Sequence, residues 1–225
     1  MSRKELLTRV CAEQIIGVVR EDTVEAARAV ADAFGRNGIR IIEITLTTPE
    51  AFELITSVSQ KYGAKDVIVA AGTVRSSNDA ALARRAGAQL IVSPHTDVRV
   101  IEYAVENDLL SIAGAATPTE IIHAWEAGAD IVKVYPANTL GGPEYIRTIR
   151  GPIRDIPMLA GGLIPLDMID AYLDAGCVAV NLGGSLAIPD LVRTGQWEEI
   201  GRRVVLATSI VQSRKSEAHA DSYVH

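Results

Sequence analysis

The sequence predicts a closed (β/α)8 barrel, the TIM fold of the α/β class, with a short helix ahead of the first strand. Three observations carry the prediction. One unit, an apolar strand followed by an amphipathic helix, occurs eight times, with starts about 20–25 residues apart. The strands are near-continuous apolar runs, as in parallel sheets covered by helices. Hydrophobic residues make up 48% of the chain but aromatics only 4%, so the core must be built of Ala, Val, Ile and Leu, which suits tightly packed α/β layers. A doubly wound open sheet is the alternative. The even repeat weakens it, as does the lack of a GxGxxG turn after the first strand.

Residues Arg3 to Glu13 have helical spacing through Leu6, Leu7 and Val10, giving a lead-in helix within 1–14. Ile15 to Arg20 is the first strand. Thr23 caps a helix through Phe34 that stops at Asn37-Gly38, a left-handed C-cap. Ile41 to Leu46 is the second strand, with a helix from near Pro49. Val67 to Gly72 precedes a helix from Ser76 to Ala86, ended by Gly87. Leu90 to Pro94 leads to a helix from Asp97, and Leu109 to Gly114 leads to Thr117-Pro-Thr-Glu120, a capping box with proline in the first turn. Ile131 to Pro136 precedes a helix at Gly142–Ile149. Met158 to Gly161 precedes one from near Pro165, and Ala179 to Gly183 precedes the last helical region. No linker or composition break interrupts this order, so residues 1–225 are expected to form a single domain. The polar stretch 214–225, with His219 and His225, is expected as a disordered tail.

A net charge of −6 without a basic block argues against nucleic-acid partners and against binding to an anionic membrane. No apolar run approaches the ~20 residues of a membrane span, and the N-terminus lacks a signal-peptide core, so a cytoplasmic protein is expected. Cys11 and Cys177 are far apart in a chain with no CxxC, which indicates neither a disulfide framework nor a zinc site.

The chemistry concentrates on two strands. Of five lysines, Lys4, Lys61, Lys65 and Lys215 lie beside polar or charged neighbours, while Lys133 sits inside the apolar run Ile131-Val-Lys-Val-Tyr-Pro136. A lysine desolvated in this way is driven toward the neutral amine, the nucleophile that imine formation with a carbonyl needs. The plainer reading is a strand-end lysine that snorkels to water or pairs with a carboxylate. Glu43, inside Ile41-Ile-Glu-Ile-Thr-Leu46, is equally anomalous. Alternation places Ile41, Glu43, Thr45 and Thr47 on one face, and Ile131, Lys133 and Tyr135 on the inward face of strand six. A structural ion pair would explain both, but desolvation offsets much of such a pair's attraction. An amine beside a carboxylate that moves protons is the minimum equipment for Schiff-base chemistry.

Other strand ends supply binding candidates, since barrel enzymes work at the C-terminal mouth. Arg20 is either a fork for a carboxylate or phosphate, or a partner of Glu21 or Asp22. Thr73 either binds a substrate carboxylate or caps the next helix, and His95 reads as a polar loop residue or an acid–base group. Gly161-Gly162 and Gly183-Gly184-Ser185 follow strands seven and eight. There, paired glycines let backbone N–H groups approach a phosphate.

With these residues placed, the sequence resembles the class I aldolases that cleave 2-keto-3-deoxy-6-phosphogluconate (KDPG), many also active on 4-hydroxy-2-oxoglutarate (KHG). The matching segments are Ile42-Glu-Ile-Thr-Leu46, Ala71-Gly-Thr-Val74, Ile91-Val-Ser-Pro-His95, Val132-Lys-Val-Tyr-Pro-Ala137, Gly161-Gly162 and Gly183-Gly-Ser185, in order over residues 15 to 200. The resemblance implies Lys133 as the Schiff-base lysine and Glu43 as general acid/base. It implies Thr73 and Pro94 around the pyruvyl end and the glycine pairs with Ser185 at the phosphate. It also implies a homotrimer that takes a phosphorylated 2-keto-3-deoxy acid, releases pyruvate and needs no cofactor or metal. Thr47 stands where some members carry arginine, a cation that Arg20 would supply, and Ala160 stands where gluconate-type members often have threonine. Both features drift toward the 2-keto-3-deoxy-6-phosphogalactonate (KDPGal) aldolases. Two rivals remain: a sugar-phosphate isomerase or epimerase in which Lys133 is only a clamp, and a non-catalytic sugar-phosphate-binding barrel.

Overall fold

The lead-in helix α1 (Arg3–Glu13) begins on a reciprocal cap: Ser2 Oγ accepts from the Glu5 N–H, and the Glu5 carboxylate accepts from the Ser2 N–H at 2.7 Å. Beyond it the computed structural model holds eight parallel strands, β1 (Ile15–Val19), β2 (Ile41–Thr45), β3 (Ile68–Gly72), β4 (Leu90–Val92), β5 (Leu110–Ala115), β6 (Ile131–Val134), β7 (Met158–Ala160) and β8 (Cys177–Leu182). They pair in chain order, and β1 pairs back to β8, which closes the barrel. The structure describes residues 1–63 and 66–221, with the side chains of 217–221 left out. Lys65, read from the sequence as a surface lysine, and His225 lie outside the described residues.

The outer layer consists of α2 (Val24–Asn37), α3 (Ala51–Tyr62), α4 (Ser77–Ala86), α5 (Val98–Glu106), α6 (Pro118–Glu126), α7 (Gly142–Arg150) and α8 (Ile169–Asp174), then α9 (Pro189–Arg193) and α10 (Trp197–Asp221) after the last strand. The expected caps are present. Thr23, Ser76, Asp97 and Thr117 each accept from a backbone N–H of the first turn, and Gly38 and Gly87 end α2 and α4 in the left-handed region.

Strand alternation divides the core in two. Ile42, Ile44, Val69, Ala71, Val132 and Val134 face the helices. Ile16, Ile41, Ile68, Leu90, Leu110, Ile131, Leu159 and Ala179 fill the barrel interior, where Leu6 and Val10 of α1 join them and plug its N-terminal mouth. The same parity sends Glu43 and Lys133 inward, as the alternation argument requires.

Differences from the sequence reading lie at element ends. β1 stops at Val19 and β6 at Val134, so Arg20 and Tyr135 stand just past their strands. Cys177 rather than Ala179 opens β8, and α3 opens at Ala51 behind Glu50, which has a positive φ of 51°. The stretch expected as a disordered tail from 214 continues α10 as far as Asp221. Arg214 accounts for part of this, since its guanidinium meets Asp174 at 2.7 Å and Asp170 at 3.2 Å, both on α8.

Candidate active site

The uppermost inward layer of the barrel is polar. Lys133 Nζ lies 4.0 Å from Glu43 Oε1, with the lysine side chain 9% exposed and the glutamate 0%. On the far side of the carboxyl, Asn181 Nδ2 donates to Glu43 Oε2 at 2.6 Å, and Asn181 is itself buried. Glu43 Oε1 and Asn181 Oδ1 are left buried without a hydrogen-bond partner among the described residues. The Lys133 ammonium position also sits over the Tyr135 ring, 5.4 Å from its centroid.

Glycines make the room. A Cβ on Gly72 would fall on Glu43 Oε1, and one on Gly161 would fall on Lys133 Cε. Both side chains need their width at the mouth, so β3 and β7 give up side chains there. Gly161 therefore shapes the lysine's channel, while the sequence reading placed it at a phosphate.

Lys133 and Asn181 floor a cavity of about 390 Å³ whose walls include Val18, Arg20, Glu21, Tyr135, Gly162, Leu163, Gly183 and Gly184. Gly162 has φ +134°, a conformation other residues rarely adopt. Burial pushes the Glu21 carboxyl up to about 7, helped by the neighbouring charge of Asp22. Arg20 is exposed, forms no ion pair among the described residues, and donates to Thr73 Oγ1 at 3.3 Å. Neither Glu21 nor Asp22 holds it.

The remaining candidates do not line this cavity. Thr73 is tied to it through its hydrogen bond from Arg20. Thr47 is exposed and shares the Thr45 hydroxyl at 3.0 Å, with Thr48 at 3.2 Å from the same group. Pro94 and His95 line an adjoining cavity of about 360 Å³ that shares the Tyr135 wall. Ser185 Oγ is buried without a partner, and the residue's backbone carbonyl accepts from Arg203 Nε at 2.9 Å. The sequence reading missed Asn181 and Glu21 as wall residues. Asn181 carried the same signal as Glu43, a polar side chain at inward parity in an apolar strand. Glu21 carried none beyond its place after the first strand. Among the described residues no three His, Cys, Asp or Glu side chains gather in a metal-holding group.

An amine on the floor of a glycine-lined cavity, with a carboxylate 4.0 Å away beneath it, can form an imine with a ketone and move a proton beside it. Comparison with known proteins agrees in kind. The KDPG and KHG aldolase family matches residues 7–203. The chain is 35% identical over 197 residues to the 2-dehydro-3-deoxy-phosphogluconate aldolase of Treponema pallidum (strain Nichols), covering 87% of this chain and 91% of that one. It is 33% identical over 186 residues to the 2-dehydro-3-deoxy-6-phosphogalactonate aldolase of Escherichia coli (strain K12), covering 82% and 87%. Among solved structures, the native KDPGal structure superposes with a TM-score of 0.78 at 30% identity, covering 90% of this chain and 96% of that one.

Proposed function

Because the chain belongs to the KDPG and KHG aldolase family, we propose that this carbon–carbon lyase cleaves KDPG through an imine on Lys133, giving pyruvate and glyceraldehyde 3-phosphate. The observation that carries the reading is the buried Lys133–Glu43 pair beneath the cavity. The neutral amine adds to the C2 ketone, water leaves, and the protonated imine becomes an electron sink. Glu43 takes the C4 hydroxyl proton, C3–C4 breaks, and the electron pair moves into the enamine as the aldehyde departs. Protonation of the enamine at C3 and hydrolysis then return pyruvate and the free lysine.

Arg20, bonded to Thr73, is suited to the substrate carboxylate, with Thr47 and Pro94 flanking that end. Gly162, Gly183 and Gly184 border the same cavity, where backbone N–H groups suit a phosphate; Gly161 and Ser185 adjoin them. KHG, which has no phosphate, uses the same lysine and leaves the glycine wall empty. A second reading, the KDPGal epimer, is favoured by Thr47 and Ala160, which depart from the gluconate-type pattern. The resemblance further implies a homotrimer, and the sequence's lack of a signal-peptide core supports a cytoplasmic location. No helix among the described residues is long and apolar enough to cross a membrane.

The test is incubation with pyruvate and borohydride. One reduced adduct on the peptide containing Lys133, abolished in Lys133→Ala, is the expected result. A label on another lysine, or none, overturns the imine reading in favour of an isomerase or a binding barrel. Turnover of KDPG, KDPGal and KHG side by side then assigns the epimer.

A further inference from the structure

Glu43 does not line the cavity. It is fully buried, and the floor above it is made by Lys133 and Asn181. Among the described residues only Asn181 touches the carboxyl within hydrogen-bond distance, at 2.6 Å, against 4.0 Å for the lysine. The amide turns its Nδ2 to Oε2 and its Oδ1 away, the orientation in which the carboxyl oxygen accepts. The other inward residue of β8 above its start, Ala179, is small and apolar, and the outward Val180 and Leu182 pack on the helices. Packing alone gives no reason for an amide at this position.

We propose that Asn181 is a positioning residue for the aldol reaction, holding one oxygen of Glu43 so that the other faces the lysine-bound substrate. The inference rests on the roles given to Lys133 and Glu43 above. The bond on Oε2 stops the carboxyl's rotation and leaves Oε1 as the Glu43 oxygen without a hydrogen-bond partner among the described residues. The charged group that faces the carboxyl from the other strands is Lys133 on β6. The neighbouring inward positions of β1 and β3 are Val18, Ala70 and Gly72, none of them titratable. Arg20 and Glu21 stand higher, on the cavity wall.

The experiment measures kcat and KM from pH 5 to 9 for both phosphorylated epimers in the native enzyme, Asn181→Leu and Asn181→Asp. The leucine variant removes the donor at similar size. It is expected to lower kcat about 10-fold or more with KM within about twofold, and to move the acid limb of kcat to higher pH. The aspartate variant sets a second carboxyl against Glu43, and the pair should share a proton, moving the acid limb up by about one unit or more. Native-shaped pH profiles in both variants, whatever their melting temperatures, overturn the assignment. If the leucine variant does not fold, the isosteric aspartate variant decides alone. Failure of the imine reading would already appear in the native enzyme as a missing borohydride label, so the two failures are distinguishable.

Discussion

Two buried carboxylates, Asp130 and Glu43, stand at opposite ends of the same barrel, and their surroundings differ in kind. Asp130 lies just before β6, at the mouth plugged by α1. One of its oxygens accepts from Arg3 Nε at 2.8 Å and the other from the Ser111 N–H at 2.9 Å. Burial pushes its pKa up, against the pull of both donors, yet neither oxygen lacks a partner. Glu43, at the open mouth, has one oxygen held by Asn181 and one with no hydrogen bond, beside an amine 4.0 Å away. A buried acceptor left unmade costs about 1–3 kcal/mol. The Asp130 end therefore minimises that cost, while the Glu43 end tolerates it. Satisfied polar groups at the closed mouth fasten α1 to the barrel; an unsatisfied one at the open mouth is free to take a substrate proton.

The sharpest way to break this contrast is Glu43→Gln. The amide keeps the size and removes the base, so turnover is expected to fall by ~10²–10⁴ while pyruvate trapping on Lys133 continues at a reduced rate. Thermal stability is expected to fall as well, since the change leaves the buried Lys133 without its facing carboxylate. Native kcat in the folded variant would strip Glu43 of its role and leave it a structural ion like Asp130.

The asymmetry between the two ends also explains what the sequence could disclose. Strand parity is a local property, so Ile41-Ile-Glu-Ile and Ile131-Val-Lys-Val were enough to send Glu43 and Lys133 into the barrel. Closure followed from eight even units. The pairing of Glu43 with Asn181 joins positions 138 residues apart, and no local pattern announces it. The same is true of Arg3 with Asp130. Gly161 has a second reason that no local pattern shows: it clears space for a lysine whose position depends on the neighbouring strand. The continuation of α10 past 214 could not be read because Arg214 is held there by carboxylates on α8, far away in the sequence.

The next test sits at the closed mouth. Asp130→Ala strands the Ser111 N–H and frees the Arg3 guanidinium, so it should destabilise the protein by about 1–3 kcal/mol. Arg3 is partly exposed, and water takes over some of its solvation, which favours the low end of that range. In denaturant melts the midpoint should drop with kcat and KM unchanged at temperatures where the variant stays folded. A loss of kcat larger than the loss of folded fraction would mean that the two mouths communicate, and the division between them would have to be given up.

The smallest effect belongs to a third carboxyl, Glu21, which lies between these extremes on the cavity wall. Its pKa rises from an ordinary 4.5 to about 7 because burial disfavours the charge and Asp22 repels it. The sign follows from proton counting. Between about pH 4.5 and 7 the folded chain holds a proton on Glu21 that the unfolded chain has released, so stability falls as pH rises through that window and levels off above it. Full burial would make such a shift worth about 3 kcal/mol. Glu21 is only half-buried, so solvent screening reduces this to about 1 kcal/mol or less. Glu21→Gln keeps the shape and removes the titration. The fall in melting temperature between pH 5 and pH 8 should then be smaller than in the native protein by about 2–4 °C. Comparing the two proteins at each pH cancels every other titrating group. An identical fall in both would place the Glu21 carboxylate in water, leaving Glu43 and Asp130 as the only carboxyls whose contrast the barrel has to explain.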